Sequence, residues 1–296
     1  DRESVGDRVV SRDIVPFMRS RNVEFVSKRM KPLTQMYAFF DGENVTRFCV
    51  PKLLEIEMLS GTFQVGETVI GTSIVASTSL EPLPAQATPG ITFRVAQSNH
   101  REGEYNAPDQ VYRENPYDGS PLSAVYSATS TILNVDTFSL SNEAQGEYNG
   151  WIIEGMTLVG KTSGATAEIT NIRLVSDLAA NLTGSFFIPD PNISTHPRFE
   201  TGTKVFTLTN DIDNDPNVAT TIADEPFTSS GTLETVQENI ISVRNARVEN
   251  KREFDERSTR RTQGVQRVRS QVVGQTQVQQ RVTLWYDPLA QSFLVD

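Results

Sequence analysis

Asp211, Asp213 and Asp215 stand at alternate positions in the run NDIDNDP, the spacing with which a calcium loop opens. The chemistry would be oxygen ligation of a hard cation. The pattern breaks at two later positions. Pro216 stands where the loop needs a glycine, and Ile222 stands where it needs a bidentate glutamate. These aspartates are read as a solvated acidic turn. Cys49 is the one cysteine, so no disulfide forms within the chain. A thiolate nucleophile needs a neighbouring base, and the only histidines are His100 and His196. Both are read as exposed loop residues and Cys49 as a small buried hydrophobe. Zinc-ligand spacing is missing. Neither glycine cluster has the G-x-x-x-x-G-K-[ST] form of a phosphate loop. Among 37 acidic residues nothing singles out the carboxylate pair a glycosidase requires. Asn-x-Ser/Thr sequons at Asn44, Asn181 and Asn192 occur no more often than chance allows. The sequence assigns no catalytic, cofactor-binding or metal-binding residue, and no enzyme activity is expected.

The bulk numbers narrow the partners. The chain has 296 residues, 37% hydrophobic, with a net charge of -10. That is room for roughly two domains with small cores. A net negative chain is poorly suited to neutralise phosphates, so no nucleic acid is expected. No run approaches the ~20 apolar residues of a membrane helix, so no membrane partner is expected either. No signal-peptide pattern is visible.

The elements that would hold such residues are strands. Val23 and Phe25 alternate, Tyr37 to Phe40 form an aromatic run, Asp41-Gly42 marks a turn, and Leu54, Ile56 and Met58 alternate again. FQVGETVIGTS (63–73) is echoed by IEGMTLVGKTSGAT (153–166). Gly66, Thr68 and Gly71 answer Gly155, Thr157 and Gly160, and a weaker echo lies in FETGTKVFTLTN (199–210). Each echo is expected to be a strand in an antiparallel module, packed through Val65, Val69, Leu158 and Val159. Residues 79–125 are proline-rich and read as loop, apart from a strand at 90–97.

Near residue 235 the composition changes. Residues 244–281 carry ten basic and four acidic residues, +6 against -16 for the remainder. Large apolar residues are sparse, so residues 236–281 are expected to be extended or only partly helical. They are also expected to be ordered only against other chains. Ile241, Val265, Arg267, Val268, Arg269 and Val272 are the candidate partner-binding residues. The closing run RVTLWYDPLAQSFLVD reads as a strand, a turn and the start of another strand, so the chain is expected to be a piece of a longer polypeptide.

Four stretches carry a resemblance. They are KPLTQMYAFFDGENVTRFCVP (31–51), AQGEYNGWIIEGMTLVGKTSGATAEITNIRLVSD (144–177), VQENIISVRNARVE (236–249) and YDPLAQSFLVD (286–296). They are similar to segments of the large virion structural proteins of contractile-tailed marine cyanophages, the baseplate-wedge or tail-fibre-like proteins of these myoviruses. The resemblance implies a structural protein of the virion tail, assembled in the host cytoplasm. Its partners would be other tail and baseplate proteins and copies of itself, a trimer being favoured. It also implies a further β domain after the closing stretch.

The expected fold is mainly β, with small antiparallel barrels or sandwiches joined by irregular linkers and an extended charged arm. The expected divisions are an N-terminal arm (1–20), a first β module (21–80), a loop-rich crossover (81–125), a second β module (126–235), a charged connector (236–281) and the start of a further β domain (282–296). Two alternatives to a tail assembly component remain. A receptor- or glycan-binding module would need an exposed aromatic platform, for which Tyr105, Tyr112, Tyr117 and Tyr126 are the candidates. A polysaccharide-degrading tailspike would need a carboxylate pair in a cleft.

Overall fold

The computed structural model describes residues 2–73, 89–141, 147–242, 273–283 and 292–295. It is mainly β. Among the described residues the one α-helix is the short Thr137–Ser141. The chain divides into two units, one drawn from 1–15 and 231–285, the other from 16–230 and 286–296.

The first unit is a three-stranded antiparallel sheet. Thr232–Ser242 lies between Arg2–Ile14 and Val273–Thr283. The register runs from Ile14 opposite Thr232 to Arg2 opposite Ser242, with bulges between Ser4 and Asp7 and between Val9 and Ser11. The expected N-terminal arm and the two ends of the expected connector are therefore partners in one ladder. Composition does not register that ladder, because it satisfies backbone N–H and C=O groups whatever the side chains are. Ile241 sits opposite Glu3 on one side and Gly274 on the other. Val265, Arg267, Val268, Arg269 and Val272 lie outside the described residues, as does most of the basic segment.

The second unit holds the remaining sheets. The largest has seven strands, in the order Ile132–Asn134, Leu53–Ser60, Thr166–Asn171, Thr157–Gly160, Thr68–Thr72, Gly90–Arg94 and Asn149–Gly150. It curls into a half-barrel. Val95 bridges Val135, and the Ala96 N–H donates to the Asn134 carbonyl, so the chain after Gly90–Arg94 meets the chain around Ile132–Asn134. A five-stranded sheet joins Leu174–Val175, Gln35–Phe40, Gly202–Thr209 and Ile222–Ser229, with Glu43–Asn44 paired to Gln35–Phe40. A four-stranded sheet orders Ser292–Val295, Arg21–Ser27, Leu182–Ile188 and Cys49–Pro51. Its Ser292–Val295 strand, expected to open a further domain, pairs in parallel with Arg21–Ser27. His100–Glu104 and Ala107–Val111 form a hairpin inside the stretch read as loop-rich crossover.

The two modules expected at 21–80 and 126–235 interleave. Leu53–Ser60 pairs with Thr166–Asn171, Arg21–Ser27 with Leu182–Ile188, and Gln35–Phe40 with Gly202–Thr209. Short strands with one apolar face need a neighbour on each side, and here the neighbour comes from the other half of the chain. Two cores result. One is rich in phenylalanine: Phe40 lies 5.3 Å from Phe186 and 4.8 Å from Phe199, and Phe25 lies 5.2 Å from Phe206. The other fills the half-barrel with Leu54, Ile56, Val69, Phe93, Leu133, Leu158 and Ile169.

The glycine echoes pair with each other. Thr157 lies opposite Thr72, Leu158 opposite Gly71, and Gly160 opposite Val69. Gly66 and Gly155 turn the chain at φ +84 and +76, a region open to glycine at little cost. Val69 and Leu158 are fully buried as expected, but Val65 and Val159 are 47% and 40% exposed. Alternation along a strand explains Val159, since Leu158 already takes the inward position. Val65 lies in the turn before Thr68–Thr72.

Candidate functional site

Lys52 marks the passage between the cores. It sits between Cys49–Pro51, in the four-stranded sheet, and Leu53–Ser60, in the half-barrel. It is 1% exposed. A buried ammonium needs partners or it loses its proton. Lys52 Nζ donates to the Val135 carbonyl at 2.7 Å and to Thr137 Oγ1 at 3.5 Å. The Thr137 hydroxyl in turn donates to Glu24 Oε1 at 2.6 Å. Glu24 is itself buried on Arg21–Ser27. The relay Lys52–Thr137–Glu24 thus joins the link between two sheets, the first residue of the helix and the strand Arg21–Ser27.

Asp136 is buried one residue earlier. Its carboxylate accepts from Arg94 Nε at 3.2 Å, from the Ser139 N–H at 3.3 Å, and from the Ser139 hydroxyl. Arg94 also donates to Ser139 Oγ, and its guanidinium lies 4.0 Å over the Tyr105 ring. His100 is buried too, which corrects its reading as an exposed loop residue. Its Nε2 meets the Glu102 carbonyl at 2.8 Å, while Nδ1 is buried without a hydrogen-bond partner. Strand Ile132–Asn134 supplies the cover: Asn134 Nδ2 donates to the His100 carbonyl.

Burial governs the protonation of this group. It raises the Glu24 carboxyl above its ordinary value, against the Thr137 hydrogen bond and the Lys52 charge. It lowers Lys52 to about 8, opposed by Asp136 and Glu24. It lowers His100 to about 4, with the Lys52 charge acting in the same direction. Burial also pushes the Cys49 thiol up, away from the thiolate a nucleophile needs, and Cys49 Sγ faces the Val45 carbonyl at 3.6 Å.

A second lock binds the glycine echoes. Glu67 is buried between them. Its Oε1 accepts from the Gln64 N–H at 2.6 Å. Its Oε2 accepts from the N–H groups of Thr162 and Ser163 at 3.1 and 2.9 Å, and the Ser163 hydroxyl adds 2.8 Å to Oε1. One carboxylate from the first echo therefore closes the turn at the end of strand Thr157–Gly160 in the second. Gly160 leaves it room: a Cβ there would stand 2.7 Å from Glu67 Oε2.

The other singled-out residues have positions of the same kind. Asp211 Oδ2 accepts from the N–H groups of Asp213 and Asp215 at 3.2 and 2.7 Å, so it caps its own loop. Among the described residues no three His, Cys, Asp or Glu side chains are grouped to hold a metal ion. His196 is half-buried with its ring 5.2 Å from Phe48 and 6.0 Å from Trp151. The four tyrosines do not form one platform. Tyr112 is buried, Tyr117 OH bonds to the Leu53 carbonyl at 2.7 Å, Tyr126 OH to the Ala96 carbonyl at 2.7 Å, and Tyr105 is covered by Arg94. A cavity of about 440 Å³ opens among Arg101, Val111, Tyr112, Asp177 and Leu178, and the Arg101–Asp177 pair at 3.2 Å forms part of its wall.

Comparison with protein-family models, curated proteins and solved structures finds no match. Sequence reasoning did not single out Glu24, Lys52, Asp136 or Glu67. The signal present was a charge inside an apolar run: Lys52 in FCVPKLLEI and Glu24 in NVEFV. A charge so flanked is either on a strand's outer face or paired within the core.

Proposed function

We propose that the chain is a structural component of a phage tail, at the baseplate or in a tail appendage, and that it acts through protein–protein contacts. One observation carries the reading beyond the sequence resemblance. The buried groups best suited to chemistry are engaged in holding the fold: Lys52 on the Val135 carbonyl, Glu24 on Thr137, Asp136 on Arg94 and Ser139, and Glu67 on two backbone N–H groups. Burial also moves Glu24, Lys52 and His100 toward their neutral forms, which suits a rigid scaffold. The tyrosine platform of a glycan-binding module is taken up by internal contacts. Among the described residues the strand pairs are antiparallel except Arg21–Ser27 with Ser292–Val295, unlike the long parallel helix of many tailspikes.

The test is proteomic and spatial. Antibody raised against the chain should label the tails of intact particles, and peptides from it should be recovered with purified tails. Recovery only in the soluble fraction of lysed hosts would refute the assignment.

A further inference from the structure

The hairpin of Gly202–Thr209 and Ile222–Ser229 closes through a twelve-residue loop, 210–221, built to hold one shape. Asn210 Oδ1 accepts from the N–H groups of Thr220 and Thr221 at 2.8 and 3.0 Å. Asp215 Oδ1 accepts from the Asn217 N–H at 2.8 Å, and Asp211 caps two further N–H groups. On this frame aliphatic side chains face water: Ile212 is 58% exposed, Val218 62% and Ile222 41%. Leu33 is exposed as well, in the turn whose Lys31 N–H donates to Thr221 Oγ1. Exposed aliphatics carried on one internally hydrogen-bonded loop make a surface that association would cover.

The surrounding charge selects the occupant. Asp211, Asp213, Asp215, Asp224 and Glu225 flank the aliphatics, and no Lys, Arg or His occurs between Lys204 and Arg244. Lys31, whose N–H meets Thr221, is a basic residue on the flank. The chain also carries a segment of complementary character. Lys251, Arg252, Arg257, Arg260, Arg261, Arg267 and Arg269 are followed or interleaved by Val265, Val268 and Val272. We propose that the loop at 210–222 is a docking surface for the basic segment 251–272 of a second copy of this chain. Valines would cover Ile212, Val218 and Ile222 while arginines meet the aspartates, and the charges would set orientation and encounter rate more than affinity. The proposal rests on the assembly reading and names the surface that would serve it.

Sedimentation of the full chain at low and high salt tests it. The wild type should self-associate, more weakly at high salt. Ile212→Ser with Val218→Ser should weaken association about tenfold or more. So should Asp213→Lys with Glu225→Lys, and so should Arg260→Glu with Arg261→Glu. Among the described residues neither Asp213 nor Glu225 has a side-chain hydrogen bond or ion pair to lose, and near-UV circular dichroism would confirm native packing in each variant. Mixing the two charge-reversed chains should restore association, since each then supplies what the other lost. Unchanged association in all three variants overturns this surface and leaves the assembly reading standing. A wild-type chain that stays monomeric, or whose loop cross-links to its own segment within the monomer, overturns the second-copy occupant. Absence of the chain from purified tails, by contrast, counts against the assembly reading itself.

Discussion

Replacing Lys52 by Met keeps the length of the side chain and removes its charge and three donors. The Val135 carbonyl, which accepts from Nζ at 2.7 Å, is then left without that donor inside the protein. The carbonyl still accepts from the Thr137 N–H at 3.0 Å, so what is lost is one charge-assisted hydrogen bond, about 1.5–3 kcal/mol. Glu24 also loses the nearby positive charge that favours its ionised form, so its carboxyl rises further. Breaking a buried ionic group by removing one member costs roughly 3–5 kcal/mol where the partner must stay charged. Here the partner can take a proton, so the total should lie at about 2–4 kcal/mol. Urea unfolding at pH 7 would read it as a lower midpoint with unchanged slope. The relay makes a stricter demand on the pair. Adding Glu24→Gln to Lys52→Met should cost less than the two single losses summed, by about 1 kcal/mol or more. Strict additivity would refute the coupling through Thr137. A gain in stability in Lys52→Met would show that desolvation of the ammonium outweighs everything it holds.

The same lysine sets a pH dependence. Its folded value, about 8, lies below its ordinary 10.5, so the folded chain binds fewer protons between them and stability should rise from pH 8 toward 10.5; the rise should vanish in Lys52→Met. His100, lowered to about 4 from 6.5, acts at the acid end: stability should fall as pH drops from 6.5 to 4, and thermal melts of His100→Gln should show a shallower fall. Glu67→Ala should lower the melting temperature by several degrees, since it strands the N–H groups of Gln64, Thr162 and Ser163 at about 1–3 kcal/mol in all. Calcium titrated into the chain should give no binding heat, and a tight site lost in Asp213→Ala would contradict the reading of NDIDNDP as a self-capped turn.

What the sequence disclosed was local. Glycine-bounded runs such as ETVIGT and MTLVGKT announced strands, because alternation and turn chemistry are written in neighbouring residues. The position of Pro216 led NDIDNDP to be read as a turn, and the structure adds that the Asp211 carboxylate caps it. What stayed hidden was pairing. Nothing near Gln35–Phe40 says that its partner is Gly202–Thr209, and nothing near Arg2–Ile14 says that it lies beside Thr232–Ser242. The buried relay stayed hidden for the same reason. Lys52, Glu24 and Asp136 look like ordinary surface charges until the fold brings three distant stretches together, and only then does burial shift Lys52 and Glu24 toward their neutral forms.

The interleaving also bears on how the chain is made. Asn22 is 163 positions from Ser185, whose hydroxyl its amide meets. At about 5–20 residues per second a ribosome needs on the order of ten to thirty seconds to cover that distance. Throughout that interval the N-terminal strands are out of the exit tunnel with open edges and no ladder to join. Gln35–Phe40 waits longer still, until Gly202–Thr209 has emerged. The half-barrel, whose strands end at Asn171, can close first, and the phenylalanine core only after Ile222–Ser229 has emerged. Nascent chains stalled before residue 180 should be bound by chaperones, and those released past residue 230 should be able to bury both cores. Vectorial synthesis thus turns a topology of distant partners into a schedule.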